Sequence, residues 1–363
     1  MREEREFAGF ALPFVTGIFT AVLAGGYLVG FRTVSATSSM LLTAVFLVLL
    51  IHPSRRNFND FTTLLLIMAA ACSAGLLCGF TSFLTEASRL PLTFTARIGE
   101  AMAESIDSIP FSKAETNAII KALITGDRHD IPVSVTDSFR KSGASHTLAL
   151  SGLHLGIIYA VVSRILGCLG NSPSMLRVRS IAIVILCGTY MMATGSGDSI
   201  VRAFLFILLG EAAKLTNRRH DTATLFFAAI CIQLCIDPQS CMSIGFQLSY
   251  AAVAGIAFIF PWLRSFWPAS GKKGPLRWIW ESAALSISCQ ITTGPLAWHY
   301  FGTFPQHFLL TNLIAIPLAG LIIPAALLCM ALHPCGLCPE ILLRATEALV
   351  TALSEALNII SLM

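Results

Sequence analysis

An all-α, polytopic transmembrane protein is the fold class this sequence predicts, and three observations predict it. Hydrophobic residues make up 55% of the chain and charged residues 12%, with a mean hydropathy of +0.75; a soluble domain carries about twice that charge. Uncharged runs recur at the roughly 20-residue length a helix needs to cross the hydrocarbon core. Lys and Arg gather on alternate connectors, as the positive-inside rule requires of short cytoplasmic loops. Together the runs give about ten spans, between roughly nine and eleven, with broken or kinked helices among them.

Taken in order, Phe7 to Phe31, Thr33 to Ile51 and Phe61 to Thr85 are uncharged but for the intervening connectors and form an N-terminal three-span segment, 1–85. The first run follows Met1-Arg-Glu-Glu-Arg-Glu6, is longer than a signal-peptide core and lacks a small-residue cleavage site, so it reads as a retained span. Residues 86–143 form the one sizeable non-membrane region, expected on the outer face. There Ile98, Met102 and Ile106 fall near helical spacing, so 96–109 reads as an amphipathic helix, against the alternative of a solvated linker. Ser112 with Glu115 has capping-box spacing for a second helix that Gly126 ends, and Pro132 opens a third.

The remaining spans lie in a core segment, 144–331. No Lys, Arg, Asp or Glu occurs between Lys141 and Arg164, and Ser180 to Gly197 and Pro238 to Leu263 are likewise uncharged. The uncharged stretch from Ser282 to Pro339 is too long for one helix and is divided near Phe304-Pro305. Residues 332–363 hold a turn and an interfacial or spanning helix. Arg and Lys at 2, 5, 55, 56, 164, 177, 179, 214, 218, 219, 264, 272, 273 and 277 mark the cytoplasmic connectors, which places the N terminus inside a bacterial plasma membrane. Most of the 11 cysteines lie in apolar runs and act as small hydrophobes. Cys335-x-x-Cys338 has no second pair and reads as a turn rather than a zinc site, so no cofactor and no metal are expected.

The stretch His146 to Ile158, HTLALSGLHLGII, is the most unusual. It sets His146, Ser151 and His154 inside what reads as a span, where unpaired polar groups cost several kcal/mol. On a continuous helix Ser151 and His154 share a face, and His146 lies within about 80° of His154. Gly152 and Gly156 have the small-residue spacing that lets backbones approach. A packing stripe and a polar lining are both compatible with that spacing.

Asp198 and Arg202, four apart, can pair along one helix face, and an intramembrane Arg is costly unless paired or wetted. Asp198 suits a helix N-cap. Gln247 and Gln290 are further polar side chains in apolar surroundings. Gly294-Pro295 is expected to kink or break its helix, a feature that points to a translocation site, and Asn312, Pro317 and Pro324 continue the theme. Trp298, Tyr300 and Phe301 fit an interfacial aromatic belt and also base stacking.

Five ordered blocks carry a family resemblance: ALITGDR at 122–128, FRKSGASHTLALSGLHLGII at 139–158, GSGDSIVRA at 195–203, DPQSCMSIGFQLSYAAVAGI at 237–256 and TGPLAWHYFGTFPQHFLLTNLIAIPL at 293–318. In these the chain resembles the ComEC-type competence proteins. The resemblance implies a membrane channel that passes one strand of incoming DNA to the cytoplasm. It also implies an outward oligonucleotide-binding-type domain and a metallo-β-lactamase-like domain in full-length members. Neither is expected here, and no H-x-H-x-D-H metal motif occurs, so the chain reads as a stand-alone channel domain and not as an enzyme. Separate DNA-binding, nuclease and helicase proteins, and a second copy of the chain, are the partners this implies beside single-stranded DNA and the bilayer.

A DNA path needs a wet, neutral-to-basic wall because each nucleotide brings a phosphate. His146, Ser151, His154, Arg202, Gln247 and Gln290 are the lining candidates, and Gly152, Gly156, Asp198, Gly294, Pro295 and Asn312 the residues expected to shape it. Two other classes compete. A carrier for a small anionic solute would use Asp198, Arg202 and a broken helix at Gly294-Pro295, and usually shows inverted repeats, which are not found. An intramembrane serine hydrolase would use Ser151 with a histidine base.

Overall fold

The computed structural model describes residues 2–27, 32–51, 60–83, 93–168, 170, 172–216, 222–267, 274–302 and 306–363, and among these it is all-helical, with no strand. Three helical stretches are long and apolar enough to cross a membrane: Pro173–Ala193, Ile244–Arg264 and Phe308–Cys335. Five shorter apolar helices join them, Gly9–Gly25, Thr33–Val45, Leu65–Thr81, Gly152–Gly167 and Thr222–Ile236. A polytopic helical membrane protein is thus the architecture. The division at Phe304-Pro305 lies outside the described residues.

The helices fall into two compact units, one of 1–90 and 212–250, the other of 91–211 and 251–363. The first contains α1 (Arg2–Tyr27), α2 (Arg32–Ile51), α3 (Asp60–Thr81) and α11 (Thr222–Ile236), with a 3-10 turn at Pro238–Met242. Small residues explain the α1–α3 pair. A Cβ on Gly17 would meet the Cys72 carbonyl, one on Gly75 the Phe14 carbonyl, and one on Gly79 the Ala21 Cβ at 2.5 Å. Only glycine allows backbones this close, which maximises dispersion where lipid offers no hydrophobic drive between helices.

The second unit begins with α4 (Thr93–Asp107), α5 (Ala114–Thr125) and α6 (Val133–Lys141), then α7 (Ser145–Leu148), α8 (Gly152–Gly167), α9 (Pro173–Ala193) and α10 (Asp198–Leu215). After α12 (Ile244–Ala254), shared with the first unit, come a π-helical turn at Gly255–Ile259, α13 (Phe260–Arg264), α14 (Pro275–Phe301), α15 (Phe308–Leu332) and α16 (Glu340–Ser361). Helices occupy the described part of 86–143, as the sequence suggests. α5 is buried all round from Ala118 to Ile124, and one core runs through Ile119, Leu123, Phe139, Leu155, Ile322 and Leu357. The apolar residues of α5 from Ala118 to Ile124 belong in a core, and Lys121 among them is paired.

Local signals were met unevenly. Gly126 closes α5 in the left-handed conformation at φ 82°, its N–H donating to the Ala122 carbonyl, as a C-terminal glycine does. The capping box at Ser112 and Glu115 does not form. Lys113 is the N-cap with no side-chain cap, and Glu115 accepts instead from Ser354 Oγ at 2.9 Å, tying α5 to α16.

Lys121, the one cation in the buried helix, donates to Asp107 and Asp130, each at 2.6 Å. Burial alone would pull its ammonium down. The hydrogen bonds and charges of the two carboxylates outweigh that and hold it above the ordinary lysine value.

Candidate functional site

The polar stretch predicted to lie on one span is split in two. α7 ends at Leu148, Ala149 and Ser151 are extended, and α8 starts at Gly152. His146 and His154 therefore sit on different helices, and the face-sharing computed for one continuous helix does not apply. The cause is local. Ser151 is the N-cap of α8, its Oγ accepting from the Leu153 N–H at 3.3 Å, while His154 at N3 reaches back so that Nδ1 accepts from the Ser151 N–H at 3.0 Å. This is a capping box with His in the place usually held by Glu or Gln. It satisfies donors that would otherwise be orphaned at a helix start.

The break leaves α8 short. α8 has 16 residues, so it rises about 24 Å, short of a hydrocarbon core of roughly 30 Å, and its last turn already carries Arg164. The positive end of a helix dipole is thereby held inside the bundle. Arg202 of α10 comes to the same point. Its side chain is 8% exposed, and a Cβ on Gly152 would stand 2.7 Å from Arg202 Nη2 and 3.2 Å from Ala203 Cβ. Gly152 is thus the contact between α8 and α10, as the small-residue reading expects. Gly156 is not: a Cβ there would meet nothing within 4 Å, because it faces away from any described helix.

His154 is fully buried. With Nδ1 accepting from a backbone donor, the proton of the neutral ring sits on Nε2, which has no hydrogen-bond partner among the described residues. Thr147 Oγ1, Gln290 Nε2 and Asn312 Oδ1 are also buried without a hydrogen-bond partner among the described residues. Polar atoms buried in this way cost free energy until a polar group reaches them. His146, by contrast, is exposed, with Nδ1 3.1 Å from the Gly143 carbonyl.

Gln247 Nε2 donates to the Cys241 carbonyl at 3.0 Å, closing the turn before its own helix. Gln290, Gly294 and Pro295 line an open apolar cavity of about 720 Å³ with Trp298 and Phe308. The break expected at Gly294-Pro295 is absent, since α14 runs through Pro295. In the turn before it, Thr292 Oγ1 and Thr293 Oγ1 both donate to the Cys289 carbonyl, at 2.9 and 2.8 Å. Asp198 opens α10 one turn before Arg202, and Trp298 and Phe301 are exposed.

Sequence reading missed Glu211. It is 3% exposed on α10 and accepts from Tyr159 Oη of α8 at 2.9 Å and Ser180 Oγ of α9 at 2.7 Å. One carboxylate thus joins three helices. Its closeness to Lys214 made it look like part of a charged connector. The visible signal was an acid spaced seven and eight residues after Phe204 and Ala203, on the packed face of an otherwise apolar helix.

Residues 123–363 match a protein-family model described as Competence protein. Among similar proteins, ComE operon protein 3 of Bacillus subtilis (strain 168) is 26% identical over 216 residues, 60% of this chain and 25% of that protein. Competence protein ComA of Neisseria gonorrhoeae is 24% identical over 223 residues, 58% and 30% of the two chains. YcaI of Escherichia coli (strain K12) is 24% identical over 228 residues, 61% and 30%. The chain therefore spans less than a third of the length of these relatives. No solved structure matches it.

Proposed function

Since the chain belongs to the competence protein family, we propose that its second unit forms part of a conduit through which single-stranded DNA crosses the plasma membrane, with the N-terminal end of α8 and the Arg202 guanidinium as the point that meets phosphate. The observation that carries this reading is their convergence at Gly152. A helix N-terminus and a guanidinium both favour an anion, and together they place positive potential inside an apolar bundle. Ser151, His154, Thr147 and Asn312 add polar groups that a passing backbone or its water can satisfy. Neither a nucleophile nor a cofactor is part of this role, and the chain is read as a transport protein rather than an enzyme, multi-pass, with its N terminus in the cytoplasm. Motor, nuclease and duplex-binding steps fall to partner proteins.

The test is uptake of labelled donor DNA into the cytoplasm of a transformable cell carrying Arg202→Ala or Arg202→Lys. A lost charge-assisted contact to phosphate lowers passage by roughly 10- to 100-fold, and Lys retains much of it. Normal uptake in Arg202→Ala, at normal protein level and with no second family member present, contradicts the proposal.

A second reading is favoured by one contact. Ser151 Oγ lies 3.0 Å from His154 Nδ1, the length of a nucleophile-to-base hydrogen bond. The capping box already employs both groups, and His154 Nε2 has no orienting carboxylate. Labelling of the purified chain by a fluorophosphonate, abolished in Ser151→Ala, would be the result that revives a hydrolase. The small-anion carrier shares the phosphate chemistry but loses its broken helix at Gly294-Pro295. Proteoliposome uptake of phosphate without any DNA effect would support it.

A further inference from the structure

In the first unit, two cysteines stand at neighbouring helix ends. Cys78 is in the last turn of α3, which ends at Thr81, and Cys235 is the next-to-last residue of α11, which ends at Ile236. Both belong to the first unit. Cys78 Sγ lies 3.9 Å from the carbonyl of Leu234, the residue before Cys235. Just beyond them the two chain segments stay together, with Gln239 Nε2 donating to the Ser82 carbonyl at 3.5 Å. Cys235 is exposed and Cys78 partly so.

The charge pattern assigns a compartment to this pair. α3 follows the connector with Arg55 and Arg56, and α11 follows Lys214, Arg218 and Arg219, whereas Asp237-Pro238-Gln239 beyond Cys235 carries no cation. Both cysteines thus lie at the end opposite the basic connectors. Under the topology proposed above, on which this step rests, that is the outer face, where disulfides form and persist.

We propose that Cys78 and Cys235 are a disulfide-forming pair that staples α3 to α11 in the protein as it resides in the membrane. The oxidant is the disulfide of an extracytoplasmic thiol–disulfide oxidase. The Cys235 thiolate, the more exposed, attacks one sulfur of that disulfide and expels the other as a thiolate. The Cys78 thiolate then attacks the Cys235 sulfur and expels the oxidase's second thiolate. Two electrons pass to the oxidase, which ends as a dithiol after taking up the two protons the cysteines gave up. The crosslink joins segments far apart in sequence, so it restricts the unfolded chain most where loop closure is longest.

The experiment uses the full chain in cells that carry such an oxidase. Cells are quenched with acid, free thiols are alkylated, and peptides are mapped with and without reduction. A crosslinked peptide containing Cys78 and Cys235, released by reductant, is the expected result, together with a lower melting temperature of the detergent-solubilised chain after reduction. In parallel, Gln239→Cys in a Cys78→Ser, Cys235→Ser background is exposed to a membrane-impermeant maleimide on intact cells. If both native thiols alkylate without reduction while the Gln239→Cys reporter labels from outside, the disulfide is overturned and the topology stands. If they alkylate and the reporter labels only after permeabilisation, the topology has failed and the proposal falls with it.

Discussion

Two regions of the second unit carry helix-disrupting sequence, and they behave in opposite ways. α14 and α15 hold Gly294-Pro295, Pro317 and Pro324 and remain continuous. The stretch between α7 and α8 contains no proline and is broken. The difference lies in where backbone groups find partners. In α14 the missing N–H of Pro295 deprives the Ile291 carbonyl of its intrahelical donor, and the helix still runs on to Phe301. At 149–151 the Ser151 side chain and the His154 ring offer the chain a better start than continuation, and the helix begins anew. In a membrane, capping groups decide a break more firmly than proline does.

The largest effect that would sharpen this comparison is expected at Gly152. Gly152→Val places atoms against Arg202 Nη2 and Ala203 Cβ. Overpacking of this kind costs about 1 to 3 kcal/mol and should displace the guanidinium, lowering both the melting temperature in detergent and DNA uptake. Gly156→Ala, next to open space, should leave both within about 0.5 kcal/mol of the parent. Equal damage at the two glycines would break the assignment of Gly152 as the helix contact.

Next in size is the Lys121 clamp. Lys121→Met removes an ammonium with two 2.6 Å partners, and loss of charged hydrogen bonds should cost about 1.5 to 3 kcal/mol, read by thermal melting. The pH dependence follows from the signs. Hydrogen bonding to Lys121 holds the Asp130 carboxyl below its usual value, so its share of stability is complete above about pH 4, the unfolded carboxylate value, and is lost as pH falls through the lower folded value. Lys121 itself is raised, so its share is complete below about pH 10.4 and is lost only as pH rises through the higher folded value. A flat melting profile between those limits, with parent and Lys121→Met converging in strong acid, is the expected result.

A smaller effect separates cap from catalyst. Ser151→Ala should cost about 1 kcal/mol, with Ser151→Asp restoring most of it. His154→Gln keeps a capping-box residue at N3 and should retain DNA uptake, whereas His154→Leu should not. Loss of uptake in His154→Gln would favour a role for the imidazole beyond the cap. The smallest effect is expected for Pro295→Ala, within about 0.5 kcal/mol and with no change in uptake, because the helix already runs through that position.

Much of this was legible in the sequence, and the failures share a cause. The polytopic helical class, the C-cap at Gly126 and the close approach at Gly152 follow from composition and local chemistry. The break at Ser151 was written in the same three-residue spacing to His154 that suggests a shared face. A helical period and a capping box both place partners three apart, and only the extended backbone at Ser151 separates them. The burial of α5 from Ala118 to Ile124 rests on partners distant in sequence, such as Ile322 and Leu357, which no local pattern reports. Glu211 was hidden by its nearness to Lys214, and its hydroxyl partners on α8 and α9 are tertiary, so no local pattern reports them.

The most direct test of a wet, cation-bearing start to α8 is thiol accessibility at that position. In a background with the native cysteines replaced, Ser151→Cys should react with a water-soluble methanethiosulfonate in membranes, and single-stranded donor DNA should slow the reaction, while Leu155→Cys, fully buried, stays unreactive. A Ser151→Cys thiol that stays unreactive, or reacts at the same rate with and without DNA, would contradict the placement of this helix start on the DNA path.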